Sequence, residues 1–253
     1  MRNAQTTPVL KLDPLGSGCC AAIFDLDDTL ARGSALVQIA RGMIWHGLAA
    51  RRQVAGFGAH EIALRRRRQS HRRIDLVTQA TATLVAGLDV KDLEFAGGQI
   101  YHRRLSRRLN QKVMTLINAH LNAGHRVWLA TPAPVELATI IARNLGLDGA
   151  IGTVCEREDG RFTGRISGSF LYGKAKADAL SDVIAREGLT PAKCYAYADS
   201  IDDLPMLAVV GHPAAVNPDR RLRQEAREHR WPVYDVGFRH DRAATTHLPP
   251  DRK

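Results

Sequence analysis

The chain has 253 residues, of which 45% are apolar and 25% are charged, a composition typical of a soluble globular protein. This length accommodates one α/β domain with a smaller inserted domain. No apolar stretch approaches the roughly 18 residues of a membrane span, and the N-terminal residues lack a signal peptide's apolar segment, so a cytoplasmic location is expected.

The formal net charge of +10 is concentrated in one third of the chain. Between Ala31 and Lys112 there are 16 Lys and Arg against 5 Asp and Glu, whereas the other residues carry 20 against 21. This asymmetry indicates a separate module within that third.

The first predicted element is a buried strand over CCAAIF (19–24), and the sequence FDLDDTL (24–30) continues directly from it. This sequence places Asp25, Asp27 and Asp28 at the end of the strand. Carboxylates so close to a buried strand repel one another unless a cation lies among them. The alternative is that these residues only form a turn and begin a helix.

The module that follows, residues 32–109, is predicted to be an all-helical insert, with helices near 36–48, 61–88 and 91–108. It contains the run RRRRQSHRR (65–73), which is either a solvated helix face, a contact for nucleic acid or an anionic membrane, or a region that attracts anionic substrates. Few aromatic residues accompany it, so a role in base stacking is not favoured. Four further arginines of the insert could line the mouth of a site: Arg103, Arg104, Arg107 and Arg108.

After the insert, predicted helices alternate with strands. Helices are predicted near 110–123, 134–145, 173–187, 204–209 and 218–229, and strands near 125–131, 193–199 and 214–216, with a hairpin turning at 159–160. Residues 239–253 are expected to form a loose, polar C-terminal tail, and residues 1–18 an N-terminal tail. The alternation predicts a Rossmann-like parallel sheet with helices on both faces.

In such a sheet ligands bind at the carboxyl ends of the strands, and polar residues follow three of the predicted strands. They are Asp25 and Asp27 after the first, Thr131 after the second and Asp199 after the third, and Lys174 near a helix start could reach the same edge. Clustered carboxylates suit Mg²⁺, whereas a hydroxyl and an ammonium suit a phosphoryl group. The combination indicates metal-assisted phosphoryl transfer.

With these motifs the chain resembles the haloacid dehalogenase-like phosphohydrolases, in particular the phosphoserine-phosphatase-like branch with a helical cap inserted after the first motif. The matching segments are FDLDDTL (24–30), LATPA (129–133), GKAKADAL (173–180) and ADSIDDLPML (198–207). The resemblance assigns the catalytic core to residues 19–31 and 110–238 and the cap to residues 32–109.

The resemblance also implies a role for each matching residue. Asp25 would be the nucleophile and Asp27 the general acid and base. The Mg²⁺ ligands would be Asp25, the backbone carbonyl of Asp27 and Asp199, with Asp203 behind them, and Thr131 and Lys174 would hold the phosphoryl oxygens.

The predicted function is therefore Mg²⁺-dependent hydrolysis of a small phosphorylated metabolite through an aspartyl-phosphate. Phosphoserine is not favoured, because LARGSALVQ (30–38) lacks the acidic residue expected after the first motif, and histidinol phosphate or a lysophospholipid head group remain candidates. The alternative is a basic protein that binds nucleic acid or an anionic membrane on a phosphatase-like scaffold. Nucleic acid is not the expected partner, whereas peripheral membrane contact through the insert is an open alternative. Asp28 is expected to point away from the site. Asp202 is expected to be an exposed residue at a helix start, and a polar contact to the site is left open.

Overall fold

The computed structural model describes residues 20–49 and 71–237, and for residues 71–73 only the backbone. The two predicted tails, Cys19 and most of the basic run at 65–73 lie outside the described residues. Within the described ranges, no helix is long and apolar enough to cross a membrane.

A parallel sheet of six strands forms the centre of the molecule, in the order β3-β2-β1-β6-β7-β8. Its strands are β1 (Ala21–Asp25), β2 (Arg126–Pro134), β3 (Gly149–Thr153), β6 (Tyr195–Ala198), β7 (His212–Val216) and β8 (Val233–Tyr234). The sequence predicted the central strands but missed β8, which has only two residues. The predicted hairpin is present as the antiparallel pair β4 (Cys155–Glu158) and β5 (Arg161–Ile166).

Alternating side chains of β1 pack into two different cores, one on each face of the sheet. Phe24 points into the core on the side of the insert, and Ile23 points into the opposite core. The α-helices after the insert are α4 (Gln111–Asn122), α5 (Val135–Asn144), α6 (Lys174–Arg186), α7 (Leu204–Leu207) and α8 (Arg220–Glu228). Since α4 and α5 contribute to the first core and α6, α7 and α8 to the second, the predicted α/β fold with helices on both faces is confirmed.

The described part of the insert is helical, as predicted. Its α-helices are α1 (Ala35–Trp45), α2 (His71–Val85) and α3 (Val90–Ile100). The single helix predicted over 91–108 is instead α3, a π-helical turn (Tyr101–Leu105) and a 3₁₀ turn (Ser106–Arg108).

Close helix contacts at glycine hold the insert together and join it to the core. A Cβ on Gly42 of α1 would lie 2.4 Å from the Ile100 side chain of α3, and one on Gly97 of α3 would lie 2.7 Å from Leu137 of α5. Helix α3 therefore packs against both the first helix of the insert and a helix of the core. The hairpin also joins the insert, because Phe162 exchanges backbone hydrogen bonds with Gly87 and Leu88.

A buried histidine pair lies on the insert side of the sheet, away from the strand ends. His120 of α4 is fully buried, and its Nδ1 lies 2.9 Å from Nδ1 of His125, while its Nε2 lies 2.8 Å from the Tyr197 hydroxyl. Burial, and then the neighbouring His125, lower the pKa of His120 to about 3. A neutral His120 is therefore part of the core near neutral pH.

Candidate active site

The carboxyl ends of β1 and β6 open into a cavity of about 210 Å³. Strand β1 lies at the centre of the sheet, between β2 and β6, where the strand order places a ligand crevice in open α/β folds. Asp25 is the last residue of β1, and Asp199 directly follows β6. The cavity is lined by Asp25, Asp27, Asp28, Pro132, Phe170, Tyr172, Lys176, Asp199, Ser200, Asp202, Asp203 and Asp219.

Lys176 is the cation at the floor of this cavity. Its side chain is 3% exposed, and its Nζ donates to Oδ1 of Asp25 at 2.5 Å and to Oδ1 of Asp203 at 2.8 Å. Burial alone would lower the pKa of Lys176, but the Asp203 and Asp25 carboxylates outweigh it and raise the pKa. The ammonium is therefore charged near neutral pH.

Lys174, the residue predicted to hold the phosphoryl group, is not brought to the site. Its side chain is 82% exposed, and its Nζ donates to both carboxylate oxygens of Asp178, at 2.7 and 2.8 Å. The two lysines lie two positions apart on α6, so they occupy different faces of the helix. Helix α6 directs Lys176 towards Asp25 and Lys174 towards solvent.

The periodicity of α6 contains the signal that distinguishes these lysines. The buried stripe of the helix includes Leu180, Val183 and Ile184, and Lys176 lies four, seven and eight residues before them. Lys174 instead lies four residues before Asp178, the spacing of a solvated ion pair. A lysine on an apolar stripe needs a carboxylate partner. The periodicity of α6 therefore favours Lys176, and not Lys174, as the lysine that reaches the aspartates of the cavity.

The charge of the cavity is strongly negative. Burial raises the pKa of Asp25 to about 7, Lys176 opposes the rise, and the Asp203 and Asp27 carboxylates add to it. Among the described lining residues, Lys176 is the single basic side chain against seven aspartates. The site is therefore short of positive charge.

Three of these carboxylates are close enough to hold one metal ion. Single oxygens of Asp25, Asp199 and Asp203 all lie within 4.8 Å of one another. Ionised carboxylates offer only oxygen acceptors, the donor type that Mg²⁺ prefers, so the side chains fit that ion. The structure thus groups Asp203, expected behind the ligands, with Asp25 and Asp199.

Asp27 connects the site to the insert. Its Oδ1 accepts a hydrogen bond of 2.7 Å from the backbone N–H of Ala35, the first residue of α1. Asp28 takes a left-handed conformation, with φ of 57°, and its Oδ1 accepts from the Gly33 N–H at 2.6 Å. Asp28 was expected to point away from the site, but it closes the turn into the insert and also lines the cavity.

Two buried threonines flank the aspartates. Thr131 lies on β2 one residue beyond Ala130, which is the partner of Asp25 in the parallel register. Its Oγ1 accepts from the Ala133 N–H at 3.3 Å. Thr29, which the sequence analysis did not select, donates to Oδ1 of Asp199 at 3.2 Å and so orients that carboxylate.

The remaining wall comes from two loops that the motifs did not indicate. Phe170 and Tyr172 precede α6, and the Tyr172 hydroxyl donates to Oδ2 of Asp202. Asp202, expected to begin a helix with a polar contact to the site left open, lines the cavity. Asp219 caps α8 through its Oδ1 and accepts from the Ile201 N–H through its Oδ2 at 3.0 Å. The position of Asp219 after β7 was the signal in the sequence that it lies at the site, since the carboxyl ends of neighbouring strands share one edge.

The arginines expected at the mouth of the site are not among the residues that line this cavity. Arg103 and Arg104 line a second cavity, beside the end of α1. Arg108 donates to the Arg32 carbonyl oxygen at 3.3 Å, next to the start of the insert.

Comparisons with known proteins agree with this geometry. The family model described as haloacid dehalogenase-like hydrolase matches residues 22–208. Phosphoserine phosphatase SerB1 of Mycobacterium tuberculosis is 40% identical over 216 residues, which cover 85% of this chain and 70% of that protein.

Solved structures share the fold. A protein of unknown function from Bordetella pertussis Tohama I superposes with a TM-score of 0.74 and 27% identity, covering 87% of this chain and all of that one. A phosphoserine phosphatase in its apo form superposes with a TM-score of 0.57 and 21% identity, covering 86% of this chain and 94% of that one.

Proposed function

Because this chain belongs to the haloacid dehalogenase-like hydrolases, we propose that it is a Mg²⁺-dependent phosphomonoesterase that acts through an aspartyl-phosphate on a small phosphorylated metabolite. The family, the fold class and the assignment as a hydrolase, all predicted from the sequence, are confirmed. The observation that carries the proposal is the group of Asp25, Asp199 and Asp203 at the floor of a cavity, with a buried ammonium bound to Asp25 and Asp203.

In the first half of the reaction, a carboxylate oxygen of Asp25 attacks phosphorus, and the bond from phosphorus to the ester oxygen breaks. Asp27 donates a proton to the departing oxygen, so the product leaves as an alcohol. One oxygen of Asp27 accepts the Ala35 N–H, which holds the carboxyl group beside Asp25 at the start of the insert.

In the second half, Asp27 accepts a proton from water, and the water oxygen attacks phosphorus. The bond between phosphorus and Asp25 breaks, which releases inorganic phosphate and restores the carboxylate. Lys176 keeps its two hydrogen bonds to the aspartates and so fixes the orientation of the nucleophile. The Thr131 hydroxyl is the proposed donor to the phosphoryl oxygens.

Asp25, Asp199 and Asp203, together with the proposed backbone carbonyl of Asp27, would hold the Mg²⁺ ion. When bound, Mg²⁺ supplies positive charge for the phosphoryl oxygens and favours the ionised form of the nucleophile. The seven aspartates of the cavity give the reason that a divalent cation is needed, since a phosphate dianion would otherwise meet a negatively charged surface.

The first experiment measures hydrolysis of an aryl phosphate with and without Mg²⁺ by wild type and Asp25→Asn. We expect Mg²⁺-dependent turnover by wild type and background rates by the variant, with circular dichroism showing that the variant is folded. Turnover by Asp25→Asn at the wild-type rate would refute the assignment of the nucleophile.

The second experiment tests Asp27 with leaving groups of different basicity. An alkoxide needs a proton to leave and an aryl oxide does not, so Asp27→Asn should slow the first half-reaction of an alkyl phosphate by about 10² to 10⁴. With an aryl phosphate the same variant should release one equivalent of phenol in a burst and then stall, because water lacks its base. Equal slowing of phenol and alcohol release, without a burst, would remove Asp27 from this role.

The substrate itself is identified by release of inorganic phosphate from a panel of phosphorylated metabolites. The panel includes phosphoserine, histidinol phosphate and a lysophospholipid with a terminal phosphate. Within the described residues, no arginine and no second lysine lines the cavity to hold a substrate carboxylate, which favours phosphate esters without one.

A further inference from the structure

A second cavity, of about 270 Å³, lies on the insert and is separate from the active site. We call it the cap groove; Gly42, Trp45, His46, Ile100, Arg103 and Arg104 line it. Trp45 is 77% exposed, although tryptophan is one of the largest apolar side chains of a protein. The groove thus combines an exposed indole with two guanidinium groups.

The cap groove does not belong to the mouth of the active site. Helix α1 begins at Ala35, whose N–H is bound by Asp27, and ends at Trp45. Ten residues of α-helix place the two ends about 15 Å apart. The two cavities share no lining residue, so the proposed catalysis does not account for the cap groove.

The backbone of the insert is built to form this groove. Gly42 lets α1 approach the Ile100 side chain of α3, which brings the end of α1 next to the end of α3. The chain then makes a π-helical turn in which the Ser106 N–H donates to the Tyr101 carbonyl oxygen. This turn contains Arg103 and Arg104, which therefore lie beside Trp45 in the groove.

The insert that contains the groove is basic and exposes several large apolar side chains. The sequence between Ala31 and Lys112 has a net charge of +11, against −1 for the rest of the chain. Four large apolar side chains are exposed among the described residues, and three of them belong to the insert: Trp45, Leu76 and Phe95. Exposed apolar side chains on a strongly basic module are typical of surfaces that enter the interface of a bilayer.

We propose that the cap groove docks the insert onto an anionic phospholipid membrane. Trp45 enters the interfacial layer, where its ring is apolar on its faces and its indole N–H remains hydrated, and Arg103 and Arg104 bind lipid phosphates. Nucleic acid also attracts arginines, but the insert exposes Leu76 and Phe95 besides Trp45, and large exposed apolar side chains are typical of a bilayer interface. The proposal concerns a surface away from the active site and does not depend on the proposed substrate.

The test measures cosedimentation of the full chain with vesicles of phosphatidylcholine, with and without phosphatidylglycerol. We expect binding that requires the anionic lipid and weakens with salt. Each of Arg103→Ala and Arg104→Ala should weaken binding roughly fivefold. Trp45→Ala should weaken it by about tenfold or more, since the indole contributes a large apolar area.

Two further measurements make the test specific. The double variant Arg186→Ala and Arg220→Ala removes two positive charges from helices of the core, twice the charge that either groove variant removes, and should still bind vesicles as wild type does. Wild-type tryptophan fluorescence should shift to the blue on vesicles, and Trp45→Phe should abolish this shift while retaining most of the binding. Hydrolysis of an aryl phosphate, where wild type shows it, and circular dichroism confirm that each variant is folded.

Three results would overturn the proposal. One is wild-type protein that binds duplex or single-stranded nucleic acid but no vesicles. Another is vesicle binding that is unchanged by substitution of Trp45, Arg103 and Arg104, since another part of the chain would then be responsible. The third is a core double variant that weakens vesicle binding as much as the groove variants do, since binding would then depend on net charge alone.

Discussion

The two lysines at the start of α6 provide the strictest test of the site. Lys176→Met removes a buried ammonium that binds two carboxylates, whereas Lys174→Met removes an exposed one that binds only Asp178. The substitutions are identical and lie within one helical turn. Any difference between them therefore reflects the surroundings of the side chains and not helix propensity.

The size of the expected effect follows from burial. Removal of one partner from a buried ion pair leaves an uncompensated charge and destabilises a protein by about 3–5 kcal/mol. We expect a loss of this size for Lys176→Met at pH 8. At that pH the carboxylates of Asp25 and Asp203 would have to stay ionised without the ammonium that compensates their charge in wild type. An exposed pair contributes about 0–1 kcal/mol, so Lys174→Met should change the free energy of unfolding by less than about 1 kcal/mol.

The stability loss of Lys176→Met should depend on pH in a defined direction. Without the ammonium, the pKa of Asp25, already raised by burial to about 7, rises further in the folded variant. The folded variant then binds more protons than the unfolded chain near neutral pH, so its stability increases as the pH falls. The difference from wild type should shrink between pH 8 and pH 5.

Urea denaturation at several pH values measures these free energies, and hydrolysis of an aryl phosphate measures the activity. Lys176→Met should lose about 10² or more in kcat/KM, because a charged group that orients the nucleophile is gone, while Lys174→Met should stay within about twofold. The reasoning is refuted if the two variants unfold alike, or if Lys174→Met is the inactive one.

Two further predictions concern parts of the fold away from the cavity. The pKa of His120 is about 3 when folded and about 6.5 when unfolded, so its contribution to stability is complete above pH 6.5 and is lost as the pH falls towards 3. In urea titrations His120→Gln should flatten the dependence of unfolding free energy on pH by up to about 1.4 kcal/mol per pH unit, and parallel curves would contradict this origin. Gly97→Ala should destabilise the protein by about 1–3 kcal/mol, because its Cβ would lie 2.7 Å from Leu137, whereas Gly98→Ala meets nothing within 4 Å and should stabilise by up to about 1 kcal/mol. Thermal denaturation of the two alanine variants measures the difference, and equal midpoints would mean that α3 does not pack closely on α5.

The sequence was sufficient for the location of the site because parallel strands end at one edge. Asp25 is the last residue of β1, and Asp199 directly follows β6. These two strands are distant in sequence but are neighbours in the sheet. The predicted boundaries differ by a few residues from those observed, but this does not move the strand ends relative to one another. The location of the site therefore depends on topology, which short continuous apolar runs alternating with helices are enough to indicate.

The identity of the cation was missed for a different reason. The position of a side chain around a helix changes by about 100° per residue, so an error of two residues reverses the face that a lysine occupies. Motif spacing selected Lys174, whereas the buried stripe of α6 would have selected Lys176. The π-helical turn at Tyr101–Leu105 had no such signal in the local composition.

The opposite charges of the two modules explain how one chain can attract phosphate esters and still keep an acidic site. The cavity holds seven aspartates, and the described residues around it contribute one lysine, so its own field repels a phosphate. The segment from Ala31 to Lys112, which contains the insert, carries the excess of +11. The first helix of the insert begins at Ala35, whose N–H donates to Asp27. In the proposed function, we expect attraction at long range to come from the insert and neutralisation at contact to come from Lys176 and the Mg²⁺. Because long-range attraction is screened by salt and the buried contact is not, added salt should raise KM for a phosphate ester more than it lowers kcat.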